Sequence, residues 1–112
     1  MIEKKLGKLE GVKFGLGGYQ DACIGLSVTI SGAGWGVADN KSVWDFNLVE
    51  CTKYCNWTEE DRADQCKSIM KFISDLLNDA KVNSIDKLNG IPVEAEFDGM
   101  NLKSWRVLTE VL

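Results

Sequence analysis

A stretch of strict alternation, Ala22–Ser31, is the strongest constraint on how this 112-residue chain folds. Every second residue from Ile24 to Ile30 is aliphatic, and the residues between them are smaller or polar. This pattern predicts a β-strand with one buried face, which needs a second layer to cover it. Strand-like segments at Val12–Leu16 and Gly36–Leu48 flank it, with glycine-rich turns between them. The first half therefore predicts an antiparallel meander.

The middle of the chain can supply the covering layer. Thr58 and Asp61 approximate a capping box, in which two side chains close the first turn of a helix. Apolar residues then recur at helical spacing, which predicts an amphipathic helix of about 22 residues. The members of this stripe are Ala63, Cys66, Ile69, Met70, Ile73, Leu76, Leu77 and Ala80. We expect the helix to pack on the sheet.

The last quarter of the chain predicts a short helical turn and a hairpin. Ser84 and Gly90 bound the turn as its cap and its stop. Pro92–Phe97 alternates, an Asp-Gly turn follows at 98–99, and Leu102–Leu112 is the predicted return strand. The whole pattern predicts one α+β domain over residues 1–112. In it an antiparallel β-sheet (β-meander plus C-terminal hairpin) packs against one long α-helix and a short helix.

Charge and composition exclude several classes of function. The formal charge of −4 argues against a protein that binds nucleic-acid duplexes, which normally carries a basic face. No apolar run approaches the roughly 20 residues that span a bilayer, and the N-terminus lacks the apolar region of a secretion signal. The chain has no histidine, the commonest general base near neutral pH. We therefore expect a cytoplasmic binding protein without membrane partner, catalytic residue or cofactor.

The four cysteines are most simply interpreted as packing residues. Cys51 and Cys55 form a C-x3-C pair that lacks the paired C-x-x-C spacing of a strong zinc motif. Cys66 falls on the helical stripe and Cys23 within a strand, as small core residues do. A Cys51–Cys55 disulfide is not expected in a reducing cytoplasm, and no metal site is expected.

Two arginines stand out among eleven lysines, and each lies close to a tryptophan. Arg62 follows Trp57, and Arg106 follows Trp105 directly. Arginine grips phosphate or carboxylate with two donors and stacks on aromatic faces, which lysine does poorly. Both arginines are candidates for a shape-specific contact, and the alternative is that both form ordinary surface ion pairs. Strand alternation predicts Trp105 on one face and Arg106 on the other, together with Leu102 and Ser104.

The segment 32–36 places three glycines around Trp35. It does not fit a phosphate-binding loop, because no Gly-Lys-Ser/Thr and no helix follow. One interpretation is that Gly34 and Gly36 let backbone amides approach a ligand while the Trp35 indole stacks on a base. The other is a turn or bulge in which Trp35 caps the core.

Polar residues near the predicted turns could contact ribose hydroxyls or a base edge. These candidates are Tyr19, Asp21, Asp39 and Asn40. Polar residues at turns usually serve only the turn, so that alternative stays open. Four tryptophans exceed what so small a core needs, which favours a flat ligand or a protomer interface.

Four segments together resemble a family of phage and prophage proteins. They are Gly15–Ala22 (G-x-G-G-Y-Q-D-A), Gly34–Val37 (G-W-G-V), Trp57–Arg62 (W-T-E-E-D-R) and Gly90–Leu112 (G-I-P-V-E-x-E-F-x-G-x-x-L-K-S-W-R-V-L-T-E-V-L). The resemblance is to the first described family of phage Thoeris anti-defence proteins, the cyclic-nucleotide sponges. It extends over most of the chain except the Phe46–Trp57 stretch, onto which no function is carried.

The resemblance implies a non-enzymatic protein of the host cytoplasm that binds an immune signal and withholds it from its effector. The implied ligands are cyclic ADP-ribose isomers such as glycocyclic ADPR, with cyclic oligonucleotides in some members. It thus implies inhibition of Thoeris immunity and, through cyclic oligonucleotides, of CBASS immunity. It also implies pockets between protomers of a homo-oligomer, which is a dimer or a hexamer built from dimers. The positions that match are Gly34, Trp35, Gly36, Arg62, Asn101, Trp105 and Arg106.

Two other classes of function stay open. The first is a phage structural or accessory module that binds another protein through a tryptophan-rich interface. The second is a small hydrolase of nucleotide signals that uses carboxylates alone, although no motif holds two of them together. Recovery of intact or altered ligand from the protein separates a sponge from an enzyme.

Overall fold

The computed structural model describes residues 2–112, which form one antiparallel sheet and one long helix. The strands are β1 (Ile2–Gly17), β2 (Cys23–Gly32), β3 (Trp35–Trp44), β4 (Pro92–Asp98) and β5 (Asn101–Val107), and the helix is α1 (Glu59–Ala80). Short 3-10 turns cover Tyr19–Asp21, Ile85–Leu88 and Thr109–Val111. The strand order in the sheet is β3-β2-β1-β4-β5. The predicted α+β class and element order are confirmed.

Strand β1 belongs to both halves of the sheet. Its residues 2–8 pair with β4, and its residues 8–17 pair with β2. The register shifts between Glu10 and Lys13, where Gly11 adopts a φ of +55°. A bulge of this kind bends a strand and increases its twist. The sheet curls as a result, so that side chains of β3 meet side chains of β4 and β5 across its concave face.

Helix α1 covers this concave face unevenly. It begins as predicted, because Thr58 and Asp61 form both hydrogen bonds of the capping box, and it ends before Lys81 in the left-handed region. Leu76 and Ala80 are buried in the core. Ala63 and Met70, nearer the start of the helix, remain exposed. The predicted apolar stripe of the helix therefore packs fully into the core only near its C-terminal end.

The core lies under that C-terminal end. Its strand residues come from the alternating face of β2, as predicted, and from β1, β4 and β5. The buried apolar side chains of these strands are Leu9, Leu26, Val28, Ile30, Val93, Ala95, Phe97 and Val107. Leu88, at the end of the short 3-10 turn, is fully buried and completes the core. The turn spans Ile85–Leu88 and Gly90 follows it with a φ of +86°, close to the predicted position.

The strand ends differ from the predicted ones. β1 begins ten residues before the expected Val12, because its first half gains a partner in β4. β3 ends at Trp44 instead of Leu48, and β5 ends at Val107 because the chain then turns into a 3-10 helix. A bulge opposite Glu96 and Phe97 also reverses the predicted face of Leu102, which packs on the core side.

Candidate functional site

Trp35 starts β3 and lies on the concave face of the sheet. The turn before it is tight because Gly34 adopts a φ of +77°, a conformation that glycine alone adopts at little cost. A Cβ at Gly32, the cross-strand neighbour of Trp35, would overlap the indole ring. The ring therefore packs closely against Gly32 of β2 and meets Phe97 edge to face, with centroids 5.4 Å apart. Within the described part of the chain, the atoms nearest to a Cβ at Gly36 would be 3.7 and 4.0 Å away, so the position does not require glycine.

A lysine stands over this aromatic pair. Lys5 Nζ lies 5.9 Å from the Trp35 ring centroid and 5.4 Å from that of Phe97. A cation over an aromatic face is attracted by the ring quadrupole. Lys5 is half-buried at the end of the concave face and forms no ion pair within residues 2–112. Its ammonium group can therefore accept an anionic partner without first breaking an ion pair.

Trp105 and Asp39 join the two edge strands of the curled sheet. The Trp105 indole Nε1 donates to Asp39 Oδ2 at 2.7 Å, although the two residues lie on β5 and β3. The other carboxylate oxygen of Asp39 accepts from the backbone N–H of Asn40 at 3.0 Å. The Trp105 ring also meets Phe72 of α1 edge to face, at 5.8 Å. The Trp105–Asp39 hydrogen bond thus links β3 and β5 across the opening of the curled sheet.

A cleft of about 200 Å³ lies at this opening. We call it the seam cleft, and its lining residues are Asp39, Lys41, Phe72, Leu102, Lys103, Ser104 and Trp105. Lys41 Nζ lies 5.4 Å from the Phe72 centroid and 4.0 Å from the Asp39 carboxylate. Trp35 stands on the same face of β3 as Asp39, four residues or about 13 Å away. Two aromatic–lysine contacts thus lie on the concave side of the sheet, Trp35 with Lys5 and Phe72 of α1 with Lys41.

Arg62 corrects the sequence-based interpretation, because it lies inside the protein. Only 3% of the residue is exposed. Its guanidinium donates to the backbone carbonyls of Trp44 and Val49, at 3.2 and 3.0 Å, and to the carboxylate of Glu59. The rings of Phe46 and Trp57 lie 4.4 and 4.6 Å from its Cζ. The predicted stacking is present, but the partners are the protein's own, so we leave Arg62 out of the site.

Arg106 lies on the outer face of the sheet, opposite Trp105 as predicted. It donates to Glu94 on the neighbouring strand and, with two nitrogens, to Glu110. The Glu110 contact raises the pKa of Arg106, and the Arg106 hydrogen bond lowers the pKa of Glu110 to about 2. Arg106 thus forms ordinary surface ion pairs, which was the alternative to a ligand contact in the sequence analysis. A ligand role stays a prediction that a neighbouring chain would have to complete.

The remaining candidates are scattered. Tyr19 and Asp21 form the β1–β2 turn, where Asp21 has a φ of +54° and Tyr19 is 82% exposed. Asn101 is exposed at the start of β5. Asn40 faces away from Asp39, on the outer face of the sheet. Of the predicted residues, the concave face brings together only Trp35, Asp39 and Trp105, with Gly34 and Gly36 beside Trp35.

The cysteines also differ from the expectation. Cys51 and Cys55 form a disulfide, with Cα atoms 5.8 Å apart. This bond was not expected, because we assumed a reducing cytoplasm. The turn between Cys51 and Cys55 brings the two residues close enough to form it. Cys23 and Cys66 are free and half-buried.

Three residues on the concave side of the sheet were not predicted from the sequence: Lys5, Phe72 and Phe97. Phe72 and Phe97 are typical apolar residues of a helix and a strand, and Lys5 is typical of a surface charge. Their shared position depends on the curl of the sheet, which the sequence shows only as a glycine at position 11.

Comparison of the chain with protein-family models, with curated proteins and with solved structures found no match. Over residues 2–112, none of the helices combines the length and the apolar character needed to cross a membrane.

Proposed function

We propose that this protein binds a cyclic nucleotide signal, of the cyclic ADP-ribose type, and sequesters it without breaking it down. The observation that carries the proposal is the pairing of aromatic rings with lysines on the concave side of the sheet. Trp35 and Phe97 lie under Lys5, and Phe72 lies under Lys41 beside Trp105. The resemblance to phage Thoeris anti-defence proteins supports the same conclusion.

The chemistry of these groups suits such a ligand. A nucleobase stacked on an aromatic ring contributes roughly 1–3 kcal/mol by analogy with single-strand binding. Lys5 can attract a phosphate, and the Asp39 carboxylate can accept from a ribose hydroxyl or a base amino group. The spacing of about 13 Å between Trp35 and Asp39 suits a two-part ligand. Because the formal charge is −4, the anion must be held by local lysines.

A single protomer offers few of the contacts that tight binding needs. A Kd near 1 nM corresponds to about −12 kcal/mol, and the seam cleft is about 200 Å³. Pockets that bury most of a drug-sized ligand are usually about 300 Å³ or larger. We therefore propose that a second protomer closes the site and that the working unit is a homo-oligomer in the host cytoplasm.

A protein-interaction module is the second candidate, and one observation favours it. A groove of about 310 Å³ lies between the first half of α1 and the sheet. Its lining is mostly apolar, and three large side chains on it are about half exposed: Phe14, Phe46 and Met70. Exposed apolar patches of this kind often mark protein contacts.

Retention of ligand tests the proposal. The purified protein is mixed with cyclic ADP-ribose isomers, freed of unbound nucleotide and heat-denatured, and the released material is separated by chromatography. Intact nucleotide is the expected result. Altered nucleotide would identify an enzyme, and no retention of any isomer would leave the interaction module as the better proposal.

A pair of lysine variants then locates the site. Lys5→Gln should weaken binding by about tenfold, equal to about 1.4 kcal/mol, because it removes the cation over Trp35 and Phe97. The matched control is Lys4→Gln, which removes the same charge one residue away on the opposite face of β1. Equal loss in both variants would contradict a site on the concave face.

A further inference from the structure

Residues 45–58 connect β3 to α1 and contain no strand or helix. We call them the connecting loop. The side chain of Arg62 of α1 contacts the loop at several points. Its Nη1 donates to the carbonyl of Trp44, just before the loop, and its Nη2 to that of Val49 within it. The buried guanidinium thus holds the loop together with Asp45, whose backbone N–H donates to the carbonyl of Ala22 at 2.9 Å.

Two aromatic rings of the same loop enclose that guanidinium. The Phe46 ring centroid lies 4.4 Å from Arg62 Cζ, and the Trp57 centroid lies 4.6 Å from it. Arg62 Nε is buried and has no hydrogen-bond acceptor within residues 2–112. A buried donor without an acceptor is costly, and water would satisfy it if the loop opened. The closed loop therefore carries a cost that opening removes.

The Cys51–Cys55 disulfide lies in the loop between these contacts. Val49, which accepts from Arg62, comes two residues before Cys51, and Trp57, which stacks on Arg62, comes two residues after Cys55. Both sulfur atoms contact the carbonyl oxygen of Trp57, at 2.9 and 2.8 Å. The disulfide therefore fixes the backbone of the residue that covers the guanidinium.

We infer that the Cys51–Cys55 disulfide is a redox-sensitive clip that keeps the connecting loop closed over Arg62. Its reduction lets the loop open and exposes the guanidinium. The bond lies in a surface loop, with both cysteines half-buried and Tyr54 between them 84% exposed. Attacking thiolates can reach a disulfide placed in this way.

The reaction is a thiol–disulfide exchange with a dithiol reductant. One thiolate of the reductant attacks a sulfur of the clip, the Cys51–Cys55 bond breaks, and a mixed disulfide forms. The second thiolate of the reductant then attacks the reductant's own sulfur in the mixed disulfide. This step releases the cysteine of the protein and leaves the reductant as a cyclic disulfide. Two electrons pass to the chain, and Cys51 and Cys55 each gain a proton as free thiols.

Hydrogen–deuterium exchange of the folded full chain tests the clip with and without dithiothreitol. Reduction should speed amide exchange in residues 45–58 by tenfold or more and leave β1 and β2 unchanged. A Cys51→Ser/Cys55→Ser variant should exchange like the reduced parent under both conditions. A Cys23→Ser/Cys66→Ser variant should respond to reduction as the parent does, because those cysteines are free.

Two outcomes would overturn the proposal that the Cys51–Cys55 disulfide is a redox-sensitive clip. One is unchanged exchange of residues 45–58 after reduction, with loss of the disulfide verified by mass. The other is a count of four free thiols in protein oxidised with glutathione disulfide, which would mean that the bond does not form. The experiment contains no nucleotide, so its result is independent of the proposed ligand binding.

Discussion

The two tryptophan–arginine neighbourhoods of this protein use the same pair of residue types in opposite ways. Around Trp57 and Arg62, the indole stacks on the guanidinium and the arginine is buried. Around Trp105 and Arg106, the two side chains point away from each other. The indole contacts Asp39 across the concave face, and the guanidinium lies in surface ion pairs. Proximity along the sequence therefore does not decide whether such a pair interacts.

Local geometry explains the difference. Thr58 caps α1, so Trp57 precedes the cap and Arg62 is the fourth helical residue. These are the two positions that meet in a hydrophobic staple, and here an indole and a guanidinium occupy them. Trp105 and Arg106 are consecutive residues of a strand, and consecutive strand side chains point to opposite faces. A spacing of five across a helix start brings the pair together, and a spacing of one in a strand separates it.

Replacement of the two arginines should give the largest contrast between the neighbourhoods. Arg62→Leu leaves the carbonyls of Trp44 and Val49 without their donor in the interior, and we expect the free energy of unfolding to fall by about 3 kcal/mol. Arg106→Leu removes only exposed ion pairs, which solvent screens, so its effect should be much smaller than that of Arg62→Leu. Urea denaturation followed by circular dichroism measures both. Similar losses would mean that the buried and exposed arginines do not differ as described.

A glycine substitution tests how closely Trp35 packs on the sheet. Gly32→Ala places a methyl group where the indole lies, and we expect a loss of about 2 kcal/mol from the displaced ring. Gly36→Ala is the matched control, because a Cβ there meets no atom of residues 2–112 closer than 3.7 Å. Thermal unfolding gives the stability, and near-ultraviolet circular dichroism reports the indole. If both variants behave alike, Trp35 does not lie against Gly32.

The Trp105–Asp39 hydrogen bond should have a smaller effect. Trp105→Phe keeps a ring beside Phe72 but removes the indole N–H, and we expect it to lower the free energy of unfolding by about 1 kcal/mol. A double-mutant cycle with Asp39→Ala isolates the pair. A coupling energy of zero would show that this bond does not hold β3 and β5 together.

The smallest effect concerns the acid stability of the Arg106 neighbourhood. The folded pKa of Glu110 is about 2, below its usual value of 4.5, so its stabilising contribution is complete above pH 4.5 and is lost as the pH falls toward 2. Arg106→Gln should return the pKa of Glu110 toward 4.5. Titration of the Glu110 carboxyl carbon by NMR measures the change. An unaltered pKa in the variant would exclude Arg106 as its cause.

Local patterns predicted part of this molecule well. The alternation of β2 and the capping box of Thr58 and Asp61 are encoded within a few residues, and both are confirmed. The first half of β1 was missed because Glu3, Lys4 and Lys5 show no apolar alternation. That segment is a strand only because β4 pairs with it. Contacts between distant residues set its structure.

The candidate site was harder to predict for the same reason. Trp35, Asp39 and Trp105 were each singled out from the sequence, but their common face depends on the bend of β1 at Gly11. The burial of Arg62 depends on Phe46 and Val49 in a loop that matches no pattern. No spacing rule connects a loop of this kind to the helix that follows it.

The division of β1 between two partners has a consequence for synthesis on the ribosome. Its neighbour β2 emerges soon after it, but the partner of residues 2–8 is β4, some ninety positions later in the chain. Until that hairpin is translated, the amino-terminal half of the strand has open backbone donors and acceptors and an exposed Leu6. Nascent chains should therefore be prone to pair with one another, and a chaperone that shields this segment should raise the yield of native protein.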